Sequence, residues 1–178
     1  MRIVQVGSLD STACPKEIQI VGEIKALLEA GTLDKAKAGK PTDRVEDFLA
    51  DYLDSHNWHE EWLIDNSVAH NDYAYNKIDW YLDASSCECG NKHRFFLEFF
   101  FDNRQAIGSN LLKFEIATQN AKVNGIKTLP IAICGSKEAL TKFGWDGGVG
   151  SKEEYRAAIA GPYSSVIKNP PLLFSVEI

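Results

Sequence analysis

Tyr73-Ala-Tyr-Asn-Lys-Ile-Asp-Trp-Tyr-Leu82 and His93-Arg-Phe-Phe-Leu-Glu-Phe-Phe-Phe101 are the two stretches that decide the fold of this chain. Both are rich in aromatic and aliphatic residues, which fit the pleated surface of a sheet. The residues between them are small or polar and include Gly90 and Asn91, as expected of a turn or short loop. We therefore predict two strands that pair as a long antiparallel hairpin.

The residues before this hairpin predict one strand, two helices and an extended segment. Apolar residues alternate from Met1 to Ser8, which suits a strand, and then recur at helical spacing from Pro15. A second amphipathic helix is predicted to be capped near Thr42, and Trp58 to Ile64 has an extended pattern. The segment Asp34 to Thr42 is rich in Lys, Ala and Gly, so we expect a surface loop between the two helices.

The residues after the hairpin predict alternating helices and strands. Ser109 fits as the N-cap of a helix through about Asn124, and Ile126 to Cys134 follows as a strand. A strand, a helix and a strand in this order imply that the two strands pair in parallel. The remaining signals are a short helix opened by Ser136, a capping box over 151–154 and a last strand over 172–178. Together they predict an α/β fold with a mixed central sheet flanked by helices.

The composition is that of one soluble globular domain over residues 1–178, with 44% hydrophobic and 25% charged residues. No stretch approaches the roughly 20 apolar residues of a membrane span, and the first residues have no signal-peptide pattern, so we expect a cytoplasmic protein. The formal net charge of −6 counts against nucleic-acid binding, because phosphates are neutralised by Lys and Arg. It does not exclude such binding, since a cleft can be locally positive in an acidic protein.

The chain has 4 cysteines, which we expect to be free thiols in a cytoplasmic protein of this size. The segment Cys87-Glu-Cys-Gly-Asn-Lys-His93 could offer two thiolates and one imidazole to zinc. A structural zinc site takes four ligands, however, usually as two separated pairs. A hairpin tip with incidental cysteines is therefore the simpler interpretation, and a zinc-stabilised interaction module around Cys87, Cys89 and His93 is kept as an alternative.

Asp79 and Glu98 are acids inside strands whose other residues are mostly aromatic or aliphatic. An ionised carboxylate in such surroundings is costly unless it is paired or bound to a metal. On adjacent strands of one hairpin, the two acids can converge on Mg²⁺, which prefers carboxylate oxygen and supports phosphodiester hydrolysis. The alternative is that both acids face solvent and pair with Lys77, Arg94 or Lys92.

A longer segment around Glu98 carries a family resemblance. Glu98-Phe-Phe-Phe-Asp-Asn-Arg-Gln-Ala-Ile-Gly-Ser-Asn-Leu-Leu-Lys-Phe114 resembles the region after the second catalytic acid in the BglII and BstYI branch of the PD-(D/E)xK type II restriction endonucleases, which is related to BamHI. Fainter similarity extends to Met1-Arg-Ile-Val-Gln-Val, to Asn57-Trp58 and to the tail from Glu153 to Phe174. The resemblance implies a restriction-endonuclease-like fold and Mg²⁺-dependent, site-specific cleavage of duplex DNA.

By position, the resemblance assigns Asp79 and Glu98 as the two metal-binding acids. Two residues after the second acid, this superfamily usually has Lys, and this branch has Gln or Glu, to orient or deprotonate the attacking water. The residue at that position here is Phe100. A phenyl ring can neither bind a metal nor move a proton, so catalysis would need a replacement for this group.

Several nearby polar residues could supply the missing group. Lys113, Glu115 or Asn103 could approach the acids from the following loop and helix, and Lys113 is our predicted third catalytic residue. A metal-bound hydroxide acting without a protein base is the other possibility. Glu60, in the extended segment upstream, could be an additional metal-binding acid.

The polar residues that follow the second strand are candidates for DNA contact. Arg, Asn and Gln side chains make bidentate hydrogen bonds with base edges, and a helix N-terminus suits a phosphate. The alternative is a polar turn that leads into a helix cap. The candidate residues are Asn103, Arg104, Gln105, Ser109 and Asn110.

Two functional hypotheses follow from the sequence. The first is a Mg²⁺-dependent type II restriction-like endonuclease, which the resemblance implies to be a homodimer that recognises a palindrome, with a site containing GATC as the first target to try. A cognate DNA methyltransferase in the same system is a further implication. The second is a DNA-binding protein on the same fold that has lost catalysis through Phe100.

Overall fold

The computed structural model describes residues 2–30, 41–64, 77–84, 87–101, 103–145 and 148–177. This part of the chain contains the strands β1 (Arg2–Val6), β2 (His59–Leu63), β3 (Lys77–Ala84), β4 (Lys92–Phe99), β5 (Ile126–Gly135) and β6 (Leu172–Glu177). These six strands form one mixed sheet in the order β1-β6-β5-β4-β3-β2.

Five α-helices accompany the sheet, and none in the described part of the chain combines the length and apolar character that a membrane span requires. The helices are α1 (Pro15–Ala30), α2 (Pro41–Ser55), α3 (Ile107–Val123), α4 (Lys137–Phe143) and α5 (Lys152–Ala160).

The strand pairing confirms the two topological predictions. β3 and β4 form an antiparallel hairpin, paired from Ala84–His93 to Trp80–Leu97. β4 and β5 are parallel, because α3 connects them as a crossover. The predicted α/β fold with a mixed, helix-flanked sheet is therefore confirmed. Residues 34–40 of the predicted loop and 73–76 of the predicted first hairpin strand lie outside the described residues.

The start of α3 corrects one prediction. The helix begins at Ile107, so Ser109 is not its N-cap but lies inside the first turn, where its hydroxyl donates to the carbonyl of Ala106 at 2.8 Å. A short 3₁₀ turn, Arg104–Ala106, leads directly into the helix and is capped by Asn103, whose side chain accepts from the backbone N–H of Gln105. The capping signal therefore belongs to Asn103, and the helical path starts earlier than the serine indicated.

The sheet is buried on both faces, which explains the nearly continuous apolar run of β4. Alternate residues of β4 belong to separate cores, because successive side chains point to opposite faces. Phe95, Leu97 and Phe99 pack with α1 and α2. Phe96 and Phe100 pack with α3 and α5. Glu98 lies between Phe96 and Phe100 in the sequence of alternate residues and therefore faces α3 as they do.

Candidate active site

Asp79 and Glu98 lie opposite each other immediately beyond the last paired residues of the β3–β4 hairpin, Trp80 and Leu97. At this point each carboxylate accepts a hydrogen bond from the backbone of the other strand. The N–H of Asp79 donates to Glu98 Oε2 at 3.1 Å, and the N–H of Phe99 donates to Asp79 Oδ2 at 2.9 Å. The two acids are therefore held side by side at the open end of the hairpin.

Lys113 joins this pair from the neighbouring helix. Its ammonium group donates to Glu98 Oε1, and the two residues are among the most buried charged residues described, with 7% of Lys113 and 2% of Glu98 exposed. Lys113 lies on the buried side of α3 beside Phe114, which fixes the direction from which the amine approaches.

The protonation of Glu98 is strongly displaced from that of an ordinary glutamate. Burial, together with the negative charge of Asp79, raises the pKa of Glu98 to about 8, although the ammonium of Lys113 opposes both effects. A carboxyl group with this pKa is readily switched between its neutral and ionised forms near neutral pH. A cation placed beside it would favour the ionised form.

Phe100 does not project into an open catalytic pocket. Its ring is fully buried and stacks on Tyr155 of α5 with ring centroids 4.3 Å apart, and it also contacts Phe114 at 5.6 Å between centroids. Position 100, for which the resemblance implied a polar residue, is thus a core position in this chain. The amine beside the second acid comes from α3 instead.

The other acids considered from the sequence lie elsewhere. Glu60 is exposed on β2 and pairs across the strands with Trp80. Because Glu60 pairs with Trp80 and Trp62 pairs with Ile78, Glu61 lies opposite Asp79. The backbone of Glu61 has φ 54°, and its carboxylate forms an ion pair with Lys77. The sequence did not identify Glu61, because only the register between β2 and β3 distinguishes it from Glu60.

Glu115 is committed to a structural role at the far side of α3. Its carboxylate accepts hydrogen bonds from the backbone N–H groups of Lys168 and Asn169 and from the side chain of Gln119, and these bonds lower its pKa. It ties the helix to the segment that precedes β6. We therefore leave Glu115 out of the candidate site.

The predicted DNA-contacting residues divide into exposed and buried groups. Asn103, Arg104 and Gln105 are exposed and follow the end of β4 that carries Glu98, and Arg104 forms an ion pair with Glu154 at 2.5 Å. Ser109 is partly buried, with its hydroxyl used inside α3. Asn110 is buried, and its amide donates to the hydroxyl of Tyr155, so this structure gives it no access to a DNA surface.

A mixed sheet flanked by helices is also the fold of a solved restriction endonuclease. One solved structure with this fold is the crystal structure of restriction endonuclease BglII complexed with a DNA 16-mer. It matches 97% of this chain and 74% of its own chain with a TM-score of 0.65, at 16% sequence identity. No protein-family model and no curated protein matches the sequence. The predicted restriction-endonuclease-like fold is confirmed, whereas the family and its branch stay predictions.

Proposed function

We propose that this chain is a Mg²⁺-dependent endonuclease that hydrolyses phosphodiester bonds of duplex DNA at specific sites, as type II restriction enzymes do. The observation that carries the proposal is the meeting of the partly buried Asp79 with the buried Glu98 and Lys113 in one cluster. Two carboxylates and one amine, delivered by two strands and a crossover helix, are the groups that metal-assisted phosphodiester hydrolysis uses.

The chemistry of the cluster fits a hard divalent cation. Asp79 and Glu98 would hold Mg²⁺, because this ion prefers carboxylate oxygens and keeps water among its ligands. Once bound, Mg²⁺ would supply an activated water and stabilise negative charge on the phosphate. Glu98 would release its proton on binding, since its pKa of about 8 reflects burial without such a cation.

Lys113 takes the role that Phe100 cannot fill. Its ammonium lies at the Glu98 carboxylate, where it can donate hydrogen bonds to the attacking water or to a phosphate oxygen that gains charge. Since Lys113 is buried, the group is held in place before substrate arrives, and little reorganisation accompanies the reaction. The amine therefore comes from a helix instead of from the strand position two residues after Glu98.

Double-stranded DNA is the proposed partner, and Asn103, Arg104 and Gln105 are the proposed contacts next to the cluster. The fold neighbour BglII was solved with DNA, which supports the choice of substrate class. We also propose a homodimer, so that two clusters address the two strands of a palindromic site, with a GATC-containing site as the first to test. A methyltransferase of matching specificity would accompany such an enzyme.

The second candidate is a DNA-binding protein of the same fold with impaired catalysis. The observation that favours it is the closed state of the cluster, in which Glu98 is occupied by Lys113 and by the N–H of Asp79. Divalent cations would have to displace contacts that already satisfy this acid. Binding with no cleavage would support this candidate.

The test is incubation of the protein with unmethylated phage DNA and Mg²⁺, followed by mapping of the cut ends. We expect discrete fragments, with loss of cutting in Asp79→Asn and Glu98→Gln and with DNA binding retained in Ca²⁺. Full cutting by both variants would contradict the site. Binding without any cutting by the wild-type protein would support the second candidate instead.

A further inference from the structure

Four potential metal ligands from two distant parts of the chain meet at the tip of the β3–β4 hairpin. One ligand atom from each of Cys14, Cys87, Cys89 and His93 lies within 4.8 Å of the other three. Sequence reasoning identified the last three residues but found no fourth ligand. The fold supplies Cys14, which is 73 positions from Cys87 in the chain.

Cys14 is positioned by the start of α1. The helix begins at Pro15, a residue favoured at the first helical position, and the N–H of Ile18 donates to the carbonyl of Cys14 at 3.1 Å. Cys14 is therefore the N-cap residue, and its sulfur lies at the N-terminal end of the helix. Its Sγ is 2.6 Å from Cys87 Sγ.

The other three ligands are positioned by a tight turn and the first residues of β4. The N–H of Gly90 donates to the carbonyl of Cys87 at 2.8 Å, and Gly90 has φ 74°, a left-handed conformation that glycine adopts without strain. The turn brings Cys89 Sγ to 3.2 Å from His93 Nε2. Cys14, Cys87 and His93 are buried, whereas Cys89 is exposed.

Glu17 completes the surroundings of the histidine. Its Oε2 accepts from the N–H of Cys14 at 2.8 Å, and its Oε1 lies 3.3 Å from His93 Nδ1. This is an ion-pair contact, and among the described residues that buried nitrogen has no hydrogen-bond partner. A carboxylate next to one ring nitrogen, with the other nitrogen directed at the ligand cluster, is the usual arrangement around a metal-bound histidine.

We propose that Cys14, Cys87, Cys89 and His93 bind one Zn²⁺ ion as a tetrahedral structural site. Three thiolates and one imidazole are a common ligand set for structural zinc. The ion fastens the start of α1 to the hairpin tip and closes a long loop of chain, which lowers the entropy of the unfolded state as a disulfide would.

This site is separate from the carboxylate cluster in position and in chemistry. His93 and Glu98 are five residues apart on one strand, so the two sites are roughly 17 Å apart at about 3.3 Å per residue. Thiolates select zinc over Mg²⁺, and carboxylates favour Mg²⁺. Zinc binding can therefore be tested independently of the proposed nuclease activity.

The first test measures metal content and coordination. Zinc is determined by mass spectrometry in protein purified under reducing conditions, and the metal-free protein is then titrated with Co²⁺. We expect one zinc per chain, retained in excess Mg²⁺, and a visible Co²⁺ spectrum typical of tetrahedral coordination with thiolate charge transfer. Absence of zinc, together with an octahedral Co²⁺ spectrum, would overturn the proposal.

Variants identify the ligands. Cys14→Ser and Cys89→Ser should each lower zinc affinity by at least about 100-fold, and Glu17→Gln by about 10- to 100-fold, as outer-shell partners do. Cys134→Ala is the matched control, because Cys134 is buried in the other core and is not part of the cluster. Unchanged zinc affinity in Cys14→Ser would exclude the fourth ligand and overturn the site.

Thiol protection in the wild-type protein covers the case in which a variant fails to fold. Alkylation followed by peptide mapping should show Cys14, Cys87 and Cys89 protected in the purified protein, and Cys89 modified rapidly once a chelator has removed zinc. Rapid modification of the exposed Cys89 before chelation would contradict the proposal. The proposal would also be contradicted if the protein, purified without a reductant and before any chelator is added, contains no zinc and has a Cys14–Cys87 disulfide.

Discussion

Lys113 of α3 and Glu98 of β4 form a buried ion pair where the crossover helix packs on the second strand of the hairpin. The pair is 15 positions apart in the chain, and the helix between them also sets the parallel pairing of β4 with β5. Because the helix and the strand pack through one apolar core, the amine and the carboxylate keep a fixed relation. The helix thus brings a lysine amine to Glu98 from a place where strand alternation does not put one.

Phe100→Gln should destabilise the protein without raising its cleavage rate. The ring stacks on Tyr155 in a closed core, so an amide at this position loses the aromatic packing and is buried without a defined partner. We expect a loss of about 3 kcal/mol or more in the free energy of unfolding, measured by urea denaturation. Phe100→Leu, which stays apolar, should cost about 1 kcal/mol. A faster-cutting Phe100→Gln variant would show instead that position 100 reaches the catalytic groups.

Mg²⁺ affinity should rise with pH between about 6 and 8. In the metal-free folded protein, Glu98 has a pKa of about 8, raised above the ordinary value of 4.5, so it is mainly protonated at pH 6. Metal binding releases that proton, and the affinity then increases by up to about tenfold per pH unit until the pKa is passed. Calorimetry in buffers of different ionisation enthalpy should detect the released proton, and Glu98→Gln should release none. An affinity that is constant from pH 6 to 8 would contradict the assignment.

The same pKa shift makes the metal-free protein less stable at higher pH. Between pH 4.5 and 8 the folded state holds a proton that the unfolded chain releases, so this contribution is fully present below pH 4.5 and is lost as pH rises toward 8. One group contributes a slope of at most about 1.4 kcal/mol per pH unit. Urea denaturation at pH 5.5 and 7.5 should show that the free energy of unfolding falls more between these pH values in the wild-type protein than in Glu98→Gln. Equal slopes would indicate that Glu98 titrates normally.

DNA binding should weaken as salt concentration rises, although the chain carries a net charge of −6. Phosphate contacts release counterions, and each contact makes the slope of log affinity against log salt concentration more negative by about 0.9. If Arg104 binds a phosphate, Arg104→Ala should reduce this slope by about 1. Arg156→Ala, at an exposed position on α5, is the control and should leave the slope unchanged. A wild-type affinity that does not depend on salt would count against phosphate contact altogether.

The fold could be predicted from the sequence because local signals and global topology agree. The hairpin followed from two strands joined by a glycine-containing turn, and the parallel pairing followed from the crossover helix between β4 and β5. The start of α3 could not be placed correctly, because Asn103 and Ser109 are both capping residues in sequence. Only the backbone path shows that Asn103 caps a 3₁₀ turn that continues into the helix.

The candidate sites were only partly predictable, because side-chain convergence depends on packing. Asp79 and Glu98 could be predicted to face each other because they lie on adjacent strands of one hairpin. Lys113 was predicted as a nearby candidate, but its contact with Glu98 depends on the orientation of α3 over the sheet, which helical periodicity alone does not give. Cys14 could not be linked to the hairpin tip, since a separation of 73 positions carries no local signal.

The measurement that tests the central claim most directly is the single-turnover cleavage rate of Lys113→Met. The variant keeps much of the side-chain length and removes the charge, and Lys122→Met, at an exposed position on the same helix, is the matched control. If Lys113 assists the reaction beside Glu98, the Mg²⁺-dependent rate should fall by about 10²- to 10³-fold, while DNA binding in Ca²⁺ and the rate of the control stay near wild-type values. A Lys113→Met protein that is folded, binds DNA and cuts at the wild-type rate would contradict the claim.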